Sequence, residues 1–476
     1  MRRLNEKLAE KWGRIDTRFL PFADAASPEL PLGRLLRLSL FQVSVGMAVV
    51  LLNGTLNRIM IVELGVSSSL VALMVSLPLL FAPFRAFVGY RSDNHKSALG
   101  WRRSPYIWIG SLLQFGGLAI MPFSLILLSG DTTGSAWVGV AGAAMAFLLV
   151  GIGLHTTQTA GLALATDLAP PETRPRVVAF LYIMLLAGTV ASSLAMGALL
   201  ANFSQIRLIQ VVQGAAVLTL VLNLVALWKQ EPRDPSKTTG ETDTTFWQAW
   251  EEFSRVEGAK RTLVGVGLGT AAFSMQDILL EPYGGEVLGL SIGQTTSLTS
   301  LMALGSLAGL FIAARQLSLG ICAYRLAACG VLAGLVAFPA VIFAGPIHSI
   351  ALFRAGTCLI GFGSGLFAIG SLYSAMEIAR HATSGIALGA WGAVQASASG
   401  LAIALSGAIR DTVTHLGADG ALGPAFTGPA PGYDTVYHFE IILLFATLIA
   451  IGPLARTTRA IRPQYQSTFG LAEFPG

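Results

Sequence analysis

Charge, cysteine and histidine are all scarce in this chain, and each shortage closes off a class of protein. Charged residues make up 12% of the 476 positions against 53% hydrophobic ones, and the mean hydropathy is +0.66. Most of the chain has no polar face to turn toward water, which excludes a soluble globular fold. Only Cys322, Cys329 and Cys358 are present. All three fall in apolar runs with neither a disulfide framework nor a metal-ligand spacing, so they read as small core residues. There is no G-x-S-x-G, phosphate loop, H-E-x-x-H or dinucleotide fingerprint, which leaves no hydrolytic, redox or ATP-driven centre in the chain itself. An enzyme is not expected. The first 37 residues are charged, so no cleavable signal peptide is expected, and the first apolar run should double as the insertion signal.

What the chain has instead is a series of apolar runs of bilayer length. A spanning helix needs about 20 mainly apolar residues, because hydrocarbon offers an open backbone no water. Twelve candidate spans follow: 38–62, 69–90, 105–128, 136–166, 176–201, 207–228, 262–286, 294–314, 321–344, 349–376, 384–409 and 436–455. The fold class is therefore an all-α polytopic membrane protein. Of the 31 Lys and Arg residues, all but Arg58, Arg85, Arg207, Arg354 and Arg410 lie on one side of this arrangement. Cytoplasmic loops hold the excess of positive charge, so both termini are expected in the cytoplasm. The formal charge of +5 then belongs to a layer facing anionic lipid rather than to nucleic acid.

The polar interval from Trp228 to Arg261 divides the spans into six plus six. This gives an N-terminal arm (1–37), a first half (38–228), a linker (229–261), a second half (262–455) and a tail (456–476). In the arm, Leu4, Leu8, Trp12, Ile15 and Phe19 form one helical stripe. In the linker, Phe246, Trp250 and Phe253 do the same, so both segments read as amphipathic helices on the cytoplasmic face. The interval from Arg410 to Tyr433 reads as the longest extracytoplasmic loop.

The two halves also repeat one another. Asp167 and Thr173 in ATDLAPPETRPRVVAFLY match Glu377 and Thr383 in AMEIARHATSGIALGAWG, and LGVSSSLVAL resembles LGLSIGQTTSL. Two parallel six-helix repeats are the signature of the major facilitator architecture. The stretch GYRSDNHKSALGWRRSPY resembles the facilitator loop between the second and third helices, which acts as a cytoplasmic gate. Gly89 and Asp93 fit that pattern, while Gly100, Arg102 and Arg103 arrive several residues late.

A charge inside a span costs at least about 2.5–3.5 kcal/mol on insertion scales, so each one calls for a reason. Arg58 and Glu63 sit late in the first span, Arg85 in the second, and Asp277 and Glu281 in the seventh. Asp277 and Glu281 are four apart and share a face, and Asn53 is the internal counterpart of Asp277. Pro282, Gly284 and Gly285 should break the helix just after them and open backbone carbonyls to a cavity. Two roles compete: a site for a proton, a cation or the polar part of a substrate, or an ion pair with Arg58 or Arg85 across the interface of the halves. His155, flanked by Thr156, Thr157, Gln158 and Thr159, is the histidine well inside a span. It is a candidate axial ligand for a metal tetrapyrrole or simply a hydrogen-bonded imidazole.

Longer stretches are more specific. LSLFQVSVGMAVVLLNGTLNRIMIVELGV, GYRSDNHKSALGWRRSPYIW, GLHTTQTAGLALATDLAP and QDILLEPYGGEVLG together resemble the PucC-type, or bacteriochlorophyll delivery, family, which includes LhaA-type assembly factors. The resemblance implies a factor for assembling light-harvesting antenna complexes in the photosynthetic membrane. Bacteriochlorophyll would be bound transiently and handed to antenna polypeptides, with the reaction centre–antenna complex a further partner. The small-residue stretches GLGTAAF and GAWGAVQASASG could offer close helix contact to such partners or pack the bundle internally. The rival readings are a proton-coupled transporter of a small solute and a pigment-free scaffold.

Overall fold

The computed structural model describes residues 30–80, 103–128, 136–170, 173–231, 258–379 and 384–457, with isolated positions 27, 92, 101, 255 and 256. Its helices are α1 (Leu32–Glu63), α2 (Ser68–Leu80), α3 (Ser104–Leu128), α4 (Ala136–Leu168), α5 (Arg174–Leu199) and α6 (Gln205–Leu227) in the first half. The second half has α7 (Ala259–Glu286), α8 (Ile292–Ser318), α9 (Ala323–Ala344), α10 (Ile350–Ala379), α11 (Ser384–Ala418) and α12 (Ala430–Thr457). No strand occurs among the described residues. Eleven of these helices are long and apolar enough to cross a membrane, and α2 is described only over its first part. The protein is an all-α, multi-pass membrane protein.

Local chemistry sets several of the helix starts. Ser291 and Gln294 form a reciprocal capping box at α8, each side chain bonding the other's backbone N–H at 3.4 and 3.1 Å. Ser204 caps α6 by accepting from the Arg207 N–H at 3.1 Å, and α5 opens with Pro175, where the missing N–H costs nothing. Lipid-facing positions carry large apolar side chains, such as Trp137 at 73% and Ile449 at 74% exposure. Such exposure is unfavourable in water and is the normal surface of a bundle in hydrocarbon.

The packing repeats with a shift of six helices. Helix α3 packs on α4 as α9 packs on α10, α1 on α5 as α7 on α11, and α3 on α6 as α9 on α12. Across the boundary α2 packs on α11 and α5 on α8, and the same shift exchanges these two contacts. Each half is thus a bundle, and four helices make most of the joint between them.

The structure corrects several boundaries. Helix α1 begins at Leu32 rather than 38, because Arg34 finds partners after α6, donating to Gln230 Oε1 and to the Gln230 carbonyl. The interval from 410 to 433 is not one loop: α11 runs on to Ala418 and α12 starts at Ala430. Arg410 and Asp411 stay within the helix because each is neutralised inside the fold, Arg410 by Glu286 and by Asp411 itself. Cys329 is exposed rather than core, while Cys322 is buried at the start of α9. The amphipathic stretches of the arm and linker lie outside the described residues, except for positions 255 and 256 at the end of the linker stretch.

Candidate functional site

Helix backbone is irregular at equivalent places in the two halves, around Asn53 in α1 and Asp277 in α7. In α1, Leu51–Thr55 and Ile59–Glu63 are wound as π-helix, and in α7, Met275–Ile278 is a tight 3-10 turn. Asn53 and Asp277 are therefore both displaced from regular α geometry, and both line one cavity of about 240 Å³ between α1, α5, α7 and α8. Such departures commonly mark functional positions in helices. The break in α7 comes one turn earlier than the proline and glycines suggested. Helix resumes at Leu280, so Pro282 stands in a first turn, where it removes no intrahelical bond.

Glu281 lies at the end of this cavity and is 3% exposed. Its Oε1 accepts from Thr299 Oγ1 at 2.6 Å, and its Oε2 has no hydrogen-bond partner. Helix α1 passes close because residue 54 is glycine: a Cβ there would stand 2.5 Å from Glu281 Oε1. Asp277 accepts from Gln276 Nε2 at 2.6 Å, and its backbone carbonyl faces Asn57 Nδ2 at 3.4 Å. Asn57 Nδ2 also donates to the Asn53 carbonyl at 2.5 Å.

The expected ion pair between Arg58 and these carboxylates is not formed. Arg58 is buried, donates to Glu63 in its own helix, and reaches across the boundary to the Leu290 carbonyl at 3.3 Å. Glu63 is nearer along the chain and neutralises it first. Arg85 lies outside the described residues. A further buried acid was missed in the sequence: Glu440 of α12, 0% exposed, lies beside the Gln276 backbone and the Asp277 carboxylate. Its signal was available, since it is an acidic residue inside a predicted span.

Two other groups of residues stand apart from the cavity. Gln158 of α4 donates to Gln42 Oε1 at 3.5 Å, and its neighbour Thr157 accepts from Gln114 Nε2 at 2.9 Å. His155 and Gln158 both lie on α4 and neither lines the cavity, so they are not brought together with Asn53, Asp277 and Glu281. At the arginine-rich end, Arg103 donates to Asp167 Oδ2 at 3.0 Å and Ser92 Oγ at 2.6 Å. Glu231 accepts from the backbone N–H groups of Arg103 and Ser104. These bonds tie the ends of α3, α4 and α6 together. The other positions of the gate pattern, Gly89, Asp93, Gly100 and Arg102, lie outside the described residues.

At the opposite end, Arg410 donates to Glu286 Oε2 at 2.6 Å and to Asp411 Oδ1 at 3.1 Å, and its guanidinium lies 4.8 Å from the Tyr433 ring centre. Asp411 in turn accepts from the N–H groups of Ser68 and Ser69 at 3.2 and 2.6 Å. One network therefore joins α7, α11 and α12 to the first turn of α2. Of the small-residue stretches, Gly269 packs against the Phe367 ring inside the bundle, while a Cβ at Gly392 would meet no atom within 4 Å.

Twelve helices in two matching bundles, with a mainly apolar cavity carrying buried acids at their joint, define a membrane protein of major facilitator architecture. Solved structures agree: a bacterial homologue of the human lysosomal transporter Spinster, inward-facing and unoccupied, aligns with a TM-score of 0.68. That alignment covers 89% of this chain and 97% of the other at 15% identity, which shows the fold alone. The sequence matches the PUCC protein family over residues 55–459, and the chain belongs to that family. It is 56% identical to an "uncharacterized protein in puhA-bchM intergenic region" of Rhodobacter capsulatus, over 97% of this chain and 98% of the relative. It is 53% identical to protein PucC of Rhodovulum sulfidophilum, over 87% and 92%. A "bacteriochlorophyll synthase 44.5 kDa chain" of Rhodobacter capsulatus is 27% identical, over 89% and 95%.

Proposed function

We propose that this chain is an assembly factor for light-harvesting antenna complexes, working in the bacterial inner membrane with both termini cytoplasmic. Its partners are newly inserted antenna polypeptides and the reaction centre–antenna complex. It acts by binding rather than by catalysing a covalent step, and bacteriochlorophyll is its cargo. The observation that carries this reading is near full-length similarity to protein PucC at 53% identity. Relatives named for a bch gene interval and for bacteriochlorophyll synthase point to the same chemistry.

The geometry bears on where pigment would sit. Pockets that enclose drug-sized molecules measure about 300–1,000 Å³, so the cavity of about 240 Å³ does not enclose a tetrapyrrole. A chlorin would lie along the lipid-facing surface instead, where its apolar tail stays in hydrocarbon. His155, half-buried in α4, is the residue that fits a pigment magnesium by donor chemistry. The test is purification in mild detergent followed by an absorption spectrum. Co-purifying bacteriochlorophyll that falls severalfold in His155→Ala is the expected result. Antenna polypeptide without pigment would leave a scaffold, and neither would remove the delivery role.

A further inference from the structure

The cavity between the halves is lined by a buried acceptor that its own residues do not satisfy. Glu281 is almost wholly buried, and while Oε1 is held by Thr299, Oε2 has no partner. Asp277 stands on the same wall, and Glu440 is buried behind it on α12. The charge of Arg58 on α1 acts on Glu281, but its guanidinium donates to Glu63 and the Leu290 carbonyl rather than to Glu281. The faces of α5 and α8 that line the cavity add Thr189, Thr299 and Ser306 but no charge. A buried carboxylate oxygen without a donor is costly, and a bound cation relieves that cost.

The lining also says what kind of cation. A bare metal ion requires several oxygen ligands at short range, and no group of three or more His, Cys, Asp or Glu is placed to hold one among the described residues. Apart from its polar end, the cavity is walled by apolar side chains such as Val49, Leu298 and Met302. We propose that this cavity is a binding site for a small organic cation, its ammonium head on Glu281 Oε2 and its apolar body against Val49, Leu298 and Met302.

The test is calorimetric titration of the full chain in lipid nanodiscs with benzylammonium chloride, benzyl alcohol and sodium chloride. Benzylammonium should bind saturably and at least about tenfold more tightly than benzyl alcohol, as expected for a hydrogen bond to a charged group. Glu281→Gln should lose that preference. Met302→Trp, which fills the cavity and leaves the acid untouched, should lose binding as well, with helical circular dichroism and gel filtration showing that each variant folds. Equal affinity for the alcohol, undiminished binding in Glu281→Gln, or a Glu281-dependent heat with sodium alone would overturn the proposal. Amine binding is read on the isolated chain, so it stands or falls separately from pigment delivery.

Discussion

Arg410 holds the most connected side chain at the arginine-poor end. Its partners Glu286 and Asp411 are both largely buried, with Tyr433 donating to the same Glu286 oxygen at 3.0 Å. Removing one member of a buried pair leaves an uncompensated charge, which costs about 3–5 kcal/mol, and partial exposure here places Arg410→Gln toward the lower end. The expected outcome is a lowered thermal midpoint in nanodiscs, partly restored in the double variant Arg410→Gln with Glu286→Gln. Additive losses would show that the two side chains do not interact. Asp411 is a separate case, because it accepts the first N–H groups of α2. Asp411→Asn keeps one acceptor, whereas Asp411→Ala loses the cap, worth about 0.5–2 kcal/mol, as well as its share of the Arg410 pair, and should lower the thermal midpoint further than Asp411→Asn.

At the level of single elements, α7 carries the most informative irregularity. The 3-10 turn at Met275–Ile278 turns Gln276 and Asp277 to the cavity and lets helix resume at Leu280. If Pro282 only occupies a first turn, Pro282→Ala should leave the thermal midpoint nearly unchanged. A large loss would mean that the proline itself shapes the break. The charged residues Asp277 and Glu281 were legible from sequence because charge within an apolar run is rare. The position of the break was not, since proline and glycine mark where a helix can bend and tertiary packing decides where it does. Helix α11 shows the same limit. Arg410 and Asp411 resemble a loop start until their partners on α7 and α2 are known, and those partners lie 124 and 342 to 343 positions away.

For the whole molecule, the repeat was readable from matched segments such as LGVSSSLVAL and LGLSIGQTTSL, and the packing follows it across both halves. What sequence could not show is which polar residues meet at the joint. Asn53 and Asp277 were related by internal alignment, and the fold places them on one cavity. His155 lies on α4 within one half and does not line that cavity. Glu440 was legible as an acid inside a predicted span, but not its place beside Asp277, which depends on α12 lying against α7. The two proposals thus fall on separate surfaces, the small cation at the joint and pigment with antenna helices on the lipid-facing side.

The most direct measurement is the near-infrared absorption of membranes from a host strain with its own copy deleted, normalised to reaction centres. Deletion is predicted to lower antenna absorbance severalfold, and this chain supplied in trans should restore it. Unchanged absorbance after deletion, or no recovery on complementation with chain present in the membrane, would contradict a role in antenna assembly.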